Sequence, residues 1–287
     1  MLNIRFNSTY VKPACPVLLP LLCALCLYVV NISAQDWRTV ADGVEYAEVR
    51  REFSGKSVNI NLLRLDLKKV RLDVHHALDA AIGTEKTSSI ATRHKAFAAI
   101  NAGFFRLDTS IWAGDAAGIL KVDGQVLSES QNNRNALLIS NFPDRSDVYI
   151  SPVWLDERLF SKKINLVLSG LNRERKGNET IRYSPEFART TLTDNTGLEV
   201  TVRKGKIAAI NDMSGSSPIP ADGYVISATG AARDDLLPRV KVGDKIGLFT
   251  APTVDNGGHF VTEANADRKS TRLNSSHSDL SRMPSSA

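Results

Sequence analysis

Cysteine is nearly absent from this chain. Its three cysteines, Cys15, Cys23 and Cys26, all lie near the N-terminus. The remainder therefore has no thiol for a disulfide framework, a thiolate metal site or a cysteine nucleophile. Such a composition is compatible with an oxidising envelope and does not demand one. Nucleotide-binding loops are lacking as well. Neither G-x-G-x-x-G nor a phosphate-loop lysine motif occurs, which disfavours Rossmann and P-loop folds. Histidine is scarce, at five residues. His75, His76, His94 and His259 show no H-x-x-x-H or H-E-x-x-H order, so no zinc motif is read. Adjacent histidines on a strand point to opposite faces, so His75 and His76 read as surface or loop residues. No EF-type calcium loop and no Ser/His/Asp layout is present. The expectation is no metal and no cofactor. No internal repeat and no Pro/Ser/Gly linker divides the chain.

Both termini read as separate from the domain. Arg5 and Lys12 precede an apolar run from Val17 to Val30, followed by small residues at Ile32-Ser-Ala34. This is the layout of a secretory signal peptide, with cleavage after Ala34. The run is short of the about 20 residues a membrane-spanning helix needs, so no stable span is expected after cleavage. The expected location is secreted, periplasmic or cell envelope. At the other end, Asp267 to Ala287 has no apolar periodicity and no aromatic residue, and reads as disordered. Asp267-Arg-Lys-Ser-Thr-Arg-Leu-Asn-Ser-Ser-His277 resembles translated sequencing-adapter DNA, so residues 267–287 are expected to be non-native. The formal net charge of +5 is mostly terminal. Arg5 and Lys12, with Arg268, Lys269, Arg272 and Arg282 against Asp267 and Asp279, supply four of the five charges. The basic balance is thus no footprint for nucleic acid.

Between the termini, residues 35–266 show many short strand signals. Val44 to Arg51 reads as a first strand. Val58, Ile60 and Leu62 alternate, then Leu63, Leu65 and Leu67 take the opposite phase, which suggests a bulge or two strands. Val70, Leu72 and Val74 alternate again. Asp123-Gly124 between short apolar runs is a hairpin signal, and Lys204-Gly205 marks another turn. Trp154 to Lys163 reads as a helical turn. Ala231 to Leu237 reads as a short helix ending before Pro238. The fold class that follows is α+β: mostly mixed or antiparallel sheet, a few short helices, a single domain.

The most informative stretch is Ser88 to Phe105. Thr87, Ser88 and Ser89 are capping residues for a helix that puts Ile90, Ala91 and His94 on one face. Ala96 to Ile100 is a continuous small apolar run, as expected of a strand covered on both sides. Asn101 stands at its end, before Ala102, Gly103, Phe104 and Phe105. A polar amide behind a buried strand is either a site edge or a packed turn bonding to its own loop.

This stretch resembles the core motif of the phosphodiester glycosidase family, which includes N-acetylglucosamine-1-phosphodiester α-N-acetylglucosaminidase. The likeness runs on through Gly114-Asp115, Gly118 to Gly124, Gly170-Leu-Asn-Arg173, Asn178-Glu179, Tyr183-Ser-Pro185 and Ile219 to Val225. It spans Val44 to Glu263. Val254 to Val261, with His259, resembles the family's Gly-Gly segment. The family then continues with an Arg-Thr-Ala strand and an Asp-Gly-Gly-Gly-Ser loop, which do not occur here. The resemblance therefore implies a domain incomplete at its C-terminus and inactive as it stands.

The reaction implied is hydrolysis of a sugar-1-phosphodiester in a glycan or exopolysaccharide. Its transition state has oxocarbenium character, commonly met by two carboxyl groups. The phosphate side favours arginine or backbone N–H donors. Asp115 and Glu179 are the candidate catalytic carboxyls. Asn101, Gly103, Phe105, Arg134, Arg173 and His259 are candidate substrate contacts. Against these stand plainer readings. A loop aspartate is commonly solvated, and Arg173 and Glu179 can pair with each other at little gain. A different class of function is a non-catalytic envelope protein that binds saccharide or assists exopolysaccharide export.

Overall fold

A computed structural model of the chain describes residues 36–129, 134–256, 259–262 and 271–275. The segment read as a signal peptide lies outside the described residues. Among the described residues strand dominates, with two short α-helices and two 3-10 turns. This is the sheet-rich class expected from the alternation of short apolar runs. The chain divides into two compact units, Met1–Leu65 and Asp66–Ala287.

The first unit is an antiparallel meander of β1 (Arg38–Ala41), β2 (Val44–Phe53) and β3 (Lys56–Leu65). The phase slip around Leu62 predicted a bulge or two successive strands. Neither forms: β3 is one strand that pairs with β2 without a break from Val44↔Leu65 to Phe53↔Lys56. Both faces of β3 are largely exposed, so no buried face selects one phase over the other.

The second unit holds two larger sheets. One contains β4 (Leu120–Val122), β5 (Gln125–Ser128), β6 (Asn135–Asn141), β7 (Ser146–Phe160) and β8 (Asn165–Val167). It also holds β14 (Gly247–Asn256), β15 (His259–Thr262) and β16 (Thr271–Ser275). The other runs β12 (Lys206–Asn211), β11 (Gly197–Arg203), β13 (Gly223–Thr229), β10 (Thr180–Tyr183), β9 (Gly170–Leu171). Of its pairings, β9–β10 is parallel and the others are antiparallel. Helix α1 (Thr87–Arg93) precedes these sheets, and α2 (Ala231–Leu236) follows β13.

Alternation decides the main core. Leu198, Val200 and Val202 of β11 point to one face and pack with Leu159, Ile226, Ala228 and Leu236. The second cluster joins Ile181, Tyr183 and Phe187 to Trp112, Leu120 and Leu127. It brings the β4–β5 hairpin and the loop before it onto β10. The hairpin forms as its Asp-Gly signal predicted. Asp123 and Gly124 both have positive φ (49° and 83°), the conformation of the tight turn that fits strand twist.

Several local expectations are corrected. Ala96–Ile100 is not a buried strand but irregular and exposed; Phe97 is 67% and Ile100 78% accessible. An apolar run becomes a strand only where neighbouring backbone pairs with it, and no strand ladder reaches this one among the described residues. Trp154–Lys163 is not helical. Most of it is the second half of β7, pinned to β14 over Val153–Phe160. Val70–Val74 forms no strand. Instead Asn141 Nδ2 donates to the Leu72 carbonyl at 3.0 Å. Helix α1 forms, but its N-cap is Lys86, with no side-chain cap. Thr271–Ser275, within the segment read as disordered, is strand β16 between β6 and β4. Ladder hydrogen bonds use backbone alone, so a polar segment without apolar periodicity can still occupy a strand position. Among the described residues, no helix is long and apolar enough to cross a membrane.

Candidate active site

Asp115 lies on a loop that folds back on itself. The Arg106 N–H donates to the Asp115 carbonyl at 2.8 Å, and the Gly114 N–H to the Arg106 carbonyl at 2.9 Å. The Ala117 N–H donates to the Phe104 carbonyl at 2.8 Å, with Phe105 bridged to Ala116. The Ser128 hydroxyl, ending β5, donates to the Ala116 carbonyl at 3.0 Å. That bond ties the end of the hairpin to the Asp115 loop and places Glu129, the next residue, in the same neighbourhood.

Arg173 comes from the other sheet, just past β9. Its Nε donates to Glu129 Oε1 at 2.5 Å. Its Nη1 donates to Glu179 Oε2 at 2.7 Å and to the Glu174 carbonyl at 2.9 Å. Its Nη2 donates to Glu179 Oε1 at 3.0 Å and to the Ser169 carbonyl at 2.7 Å. A guanidinium has five N–H donors, and all five are used. Glu129 Oε2 accepts the Leu171 N–H at 2.7 Å, and Glu179 Oε2 also accepts the Lys176 N–H at 2.8 Å. Gly170 is required beside them, because a Cβ there would run into Glu129 and the Arg173 guanidinium. Tyr183, wholly buried, holds the Arg173 carbonyl through its hydroxyl at 2.7 Å. Asn172 is buried too. It donates to the Leu127 carbonyl at 3.1 Å and to the Ser184 hydroxyl at 2.9 Å, and accepts the Ser184 N–H at 2.8 Å.

The electrostatics separate the carboxyls. Burial, and then the nearby Glu129 charge, raise Asp115 against the pull of Arg173 and Arg106; it is pushed up to about 7. Burial also raises Glu129, and its bonds to Arg173 and Leu171 only partly offset this. Glu179 goes the other way: burial works to raise it, but Arg173 and the Lys176 N–H outweigh that and hold it low. Burial by itself would weaken the Arg173 charge, yet its two carboxylate partners raise its pKa well above the usual arginine value. The site thus joins two carboxyls whose proton affinity burial raises, Asp115 and Glu129, to one, Glu179, held low by Arg173. Arg106 closes the rim, donating to Glu174 at 2.6 Å and to Asp108.

Of the residues singled out from sequence, Asp115, Arg173 and Glu179 share this cluster. The Arg173–Glu179 pairing forms, with the arginine as a hub. Phe105 and Gly103 lie on the strand of chain leading into it. Arg134 Nη1 reaches the Ala117 carbonyl at 3.5 Å, the limit of a hydrogen bond. Asn101 lies apart from these bonds on exposed, irregular chain. His259 is on β15, its Cα opposite Asn256, and its side chain lies outside the description. Sequence reasoning missed Glu129, Asn172 and Arg106. Glu129 had one signal, an acidic residue directly after a confident hairpin strand. One cleft, of about 400 Å³, is lined by Lys121, Gln125, Arg182, Ser184 and Glu186 among others; none of the expected site residues lines it.

No family model matches the chain, and no curated protein matches it. Two solved structures are similar in fold. One is a Burkholderia pseudomallei K96243 protein provisionally described as exported, at 19% identity and a TM-score of 0.65, covering 76% of this chain and 49% of that one. The other is a hypothetical protein from Synechocystis, at 19% identity and a TM-score of 0.64, covering 86% of this chain and 44% of that one. This chain therefore spans about half the length of either, and what it shares with them at that identity is the fold.

Proposed function

We propose that this chain is an exported phosphodiester glycosidase, or a fragment of one, acting on sugar-1-phosphodiester linkages of a glycan or exopolysaccharide. The support is the ordered series of family motifs from Asn101 onward, together with a cell-export layout at the N-terminus. The observation that carries the chemistry is the Asp115 carboxyl, pushed up to about 7 beside Glu129 and Arg173. A protonated Asp115 gives its proton to the departing phosphate oxygen as the bond from the anomeric carbon breaks. Water adds at that carbon and its proton returns to the Asp115 carboxylate, leaving a free sugar and a phosphomonoester. The departing phosphate has a conjugate acid of pKa about 6, so an acid near 7 is well matched to it. Arg173, with every donor used, acts by fixing Glu129 and Glu179 rather than by gripping phosphate. Glu129 then adds to the raised proton affinity that burial gives Asp115.

The test is release of N-acetylglucosamine from an N-acetylglucosamine-1-phosphodiester by the protein as its source gene encodes it. Asp115→Asn is expected to lower kcat by about 10²–10⁴-fold, the usual contribution of general acid catalysis. No turnover on any sugar-1-phosphodiester, or an unaffected Asp115→Asn variant, refutes the reading. The saturation of Arg173 and Glu179 favours a second reading, since structural ion-pair networks also shift pKa values. In it the cluster is a brace, and the protein binds saccharide without turnover. Glycan binding that persists with no product released decides for it.

A further inference from the structure

Three ligand-type side chains meet outside the candidate active site. A ring nitrogen of His75, a carboxylate oxygen of Asp79 and a ring nitrogen of His94 all lie within 4.8 Å of one another. Local backbone brings them together. Leu78 and Asp79 have positive φ (58° and 52°) in the 3-10 turn Ala77–Asp79, and His94 caps the C-terminus of α1. His94 Nε2 is 2.9 Å from Asp79 Oδ1. The imidazoles of His75 and His94 stack with centroids 3.5 Å apart and planes 15° from parallel.

We propose that His75, Asp79 and His94 form a binding site for a zinc-class divalent transition metal. In a tetrahedral site with metal–nitrogen bonds of about 2.0–2.1 Å, ligand atoms stand about 3.3 Å apart. The observed spread contracts to that by rotation of the side chains, whose terminal torsions are soft. Two imidazoles and one carboxylate suit zinc and its neighbours rather than magnesium or calcium. Three protein ligands leave a fourth position for water.

Arg93 supports the assignment. It donates to Asp79 and, through Nη2, to Glu85 at 2.6 Å; Glu85 also takes the Leu78 N–H at 2.9 Å. Asp79 and Glu85 against one arginine leave a net negative charge, and the guanidinium sits on Asp79 as a monovalent stand-in. A dication displaces it from Asp79, while the bond from Arg93 to Glu85 remains available. The same turn runs on to Gly83, whose backbone packs directly against Gly114 beside Asp115. Metal at this site therefore stiffens the support of that loop.

The test uses the full chain titrated with Zn²⁺ and with Co²⁺. One Co²⁺ per chain is expected, with the visible absorption of a four-coordinate N/O site. His75→Ala and His94→Ala each weaken binding by at least about tenfold, and Arg93→Ala tightens it by about tenfold, as removal of a competing cation from Asp79 should. Absence of stoichiometric binding overturns the proposal, as does an unchanged Co²⁺ spectrum in both histidine variants. Should a histidine variant fail to fold, the wild-type protein decides. Paramagnetic shifts on the ring protons of His75 and His94 support the site, and unshifted rings refute it.

Discussion

Replacing Asp115 by Asn should stabilise the protein, and by more as the pH rises. The carboxyl titrates at about 7 in the folded chain against an ordinary 3.8. The folded state therefore holds the proton more tightly than the unfolded state does. That contribution is fully present below about pH 4 and is lost as pH rises through about 7. At about 1.4 kcal/mol per unit, the loss is about 2 kcal/mol at pH 5 and about 4 kcal/mol by pH 8. Asn removes the titration while keeping the shape. The stability difference between Asp115→Asn and wild type should therefore grow by about 2–3 kcal/mol across that range. The assay is urea unfolding at pH 5, 6, 7 and 8, followed by the fluorescence of Trp112, which packs on Phe187 in the core. The growth with pH is the signature, because any cost of burying the new amide is independent of pH. A constant difference between the two proteins refutes the reasoning, as does a wild-type Asp115 carboxyl that titrates near 4 by NMR.

Arg173→Met should destabilise the fold by about 3–5 kcal/mol in the same unfolding assay, because it strands two carboxylates whose side chains are 13% and 23% exposed. Arg173→Lys should recover little of this, since an ammonium has three donors where five acceptors wait. Asn172→Ala removes three hydrogen bonds from a buried position and should cost about 2–4 kcal/mol, with faster hydrogen exchange at the Ser184 amide.

Features encoded within a few residues were legible in the sequence. Asp123-Gly124 specified its hairpin because those residue types tolerate the positive φ the turn needs. Ala231 to Leu237 specified a short helix, which forms over Ala231–Leu236. Asp115, Arg173 and Glu179 were singled out as chemistry-bearing residues; Arg173 pairs with Glu179, and its charge acts on Asp115. What the sequence could not decide is anything set by a partner distant along the chain. Ala96–Ile100 has the composition of a buried strand, but burial depends on a neighbour that only the assembled sheets supply. The second half of β7 reads locally as a turn and becomes strand because β14, about ninety residues later, pairs with it. Glu129 joins the site only through the Ser128–Ala116 bond and Arg173 from the other sheet. His75 and His94 are likewise nineteen positions apart, without motif spacing, and are stacked by a turn whose positive φ at Leu78 the residue type does not announce. Local propensity and periodicity are properties of the chain by itself. Charge clusters, ligand sets and covered faces belong to the packing, where distant residues set each other's dielectric and partners.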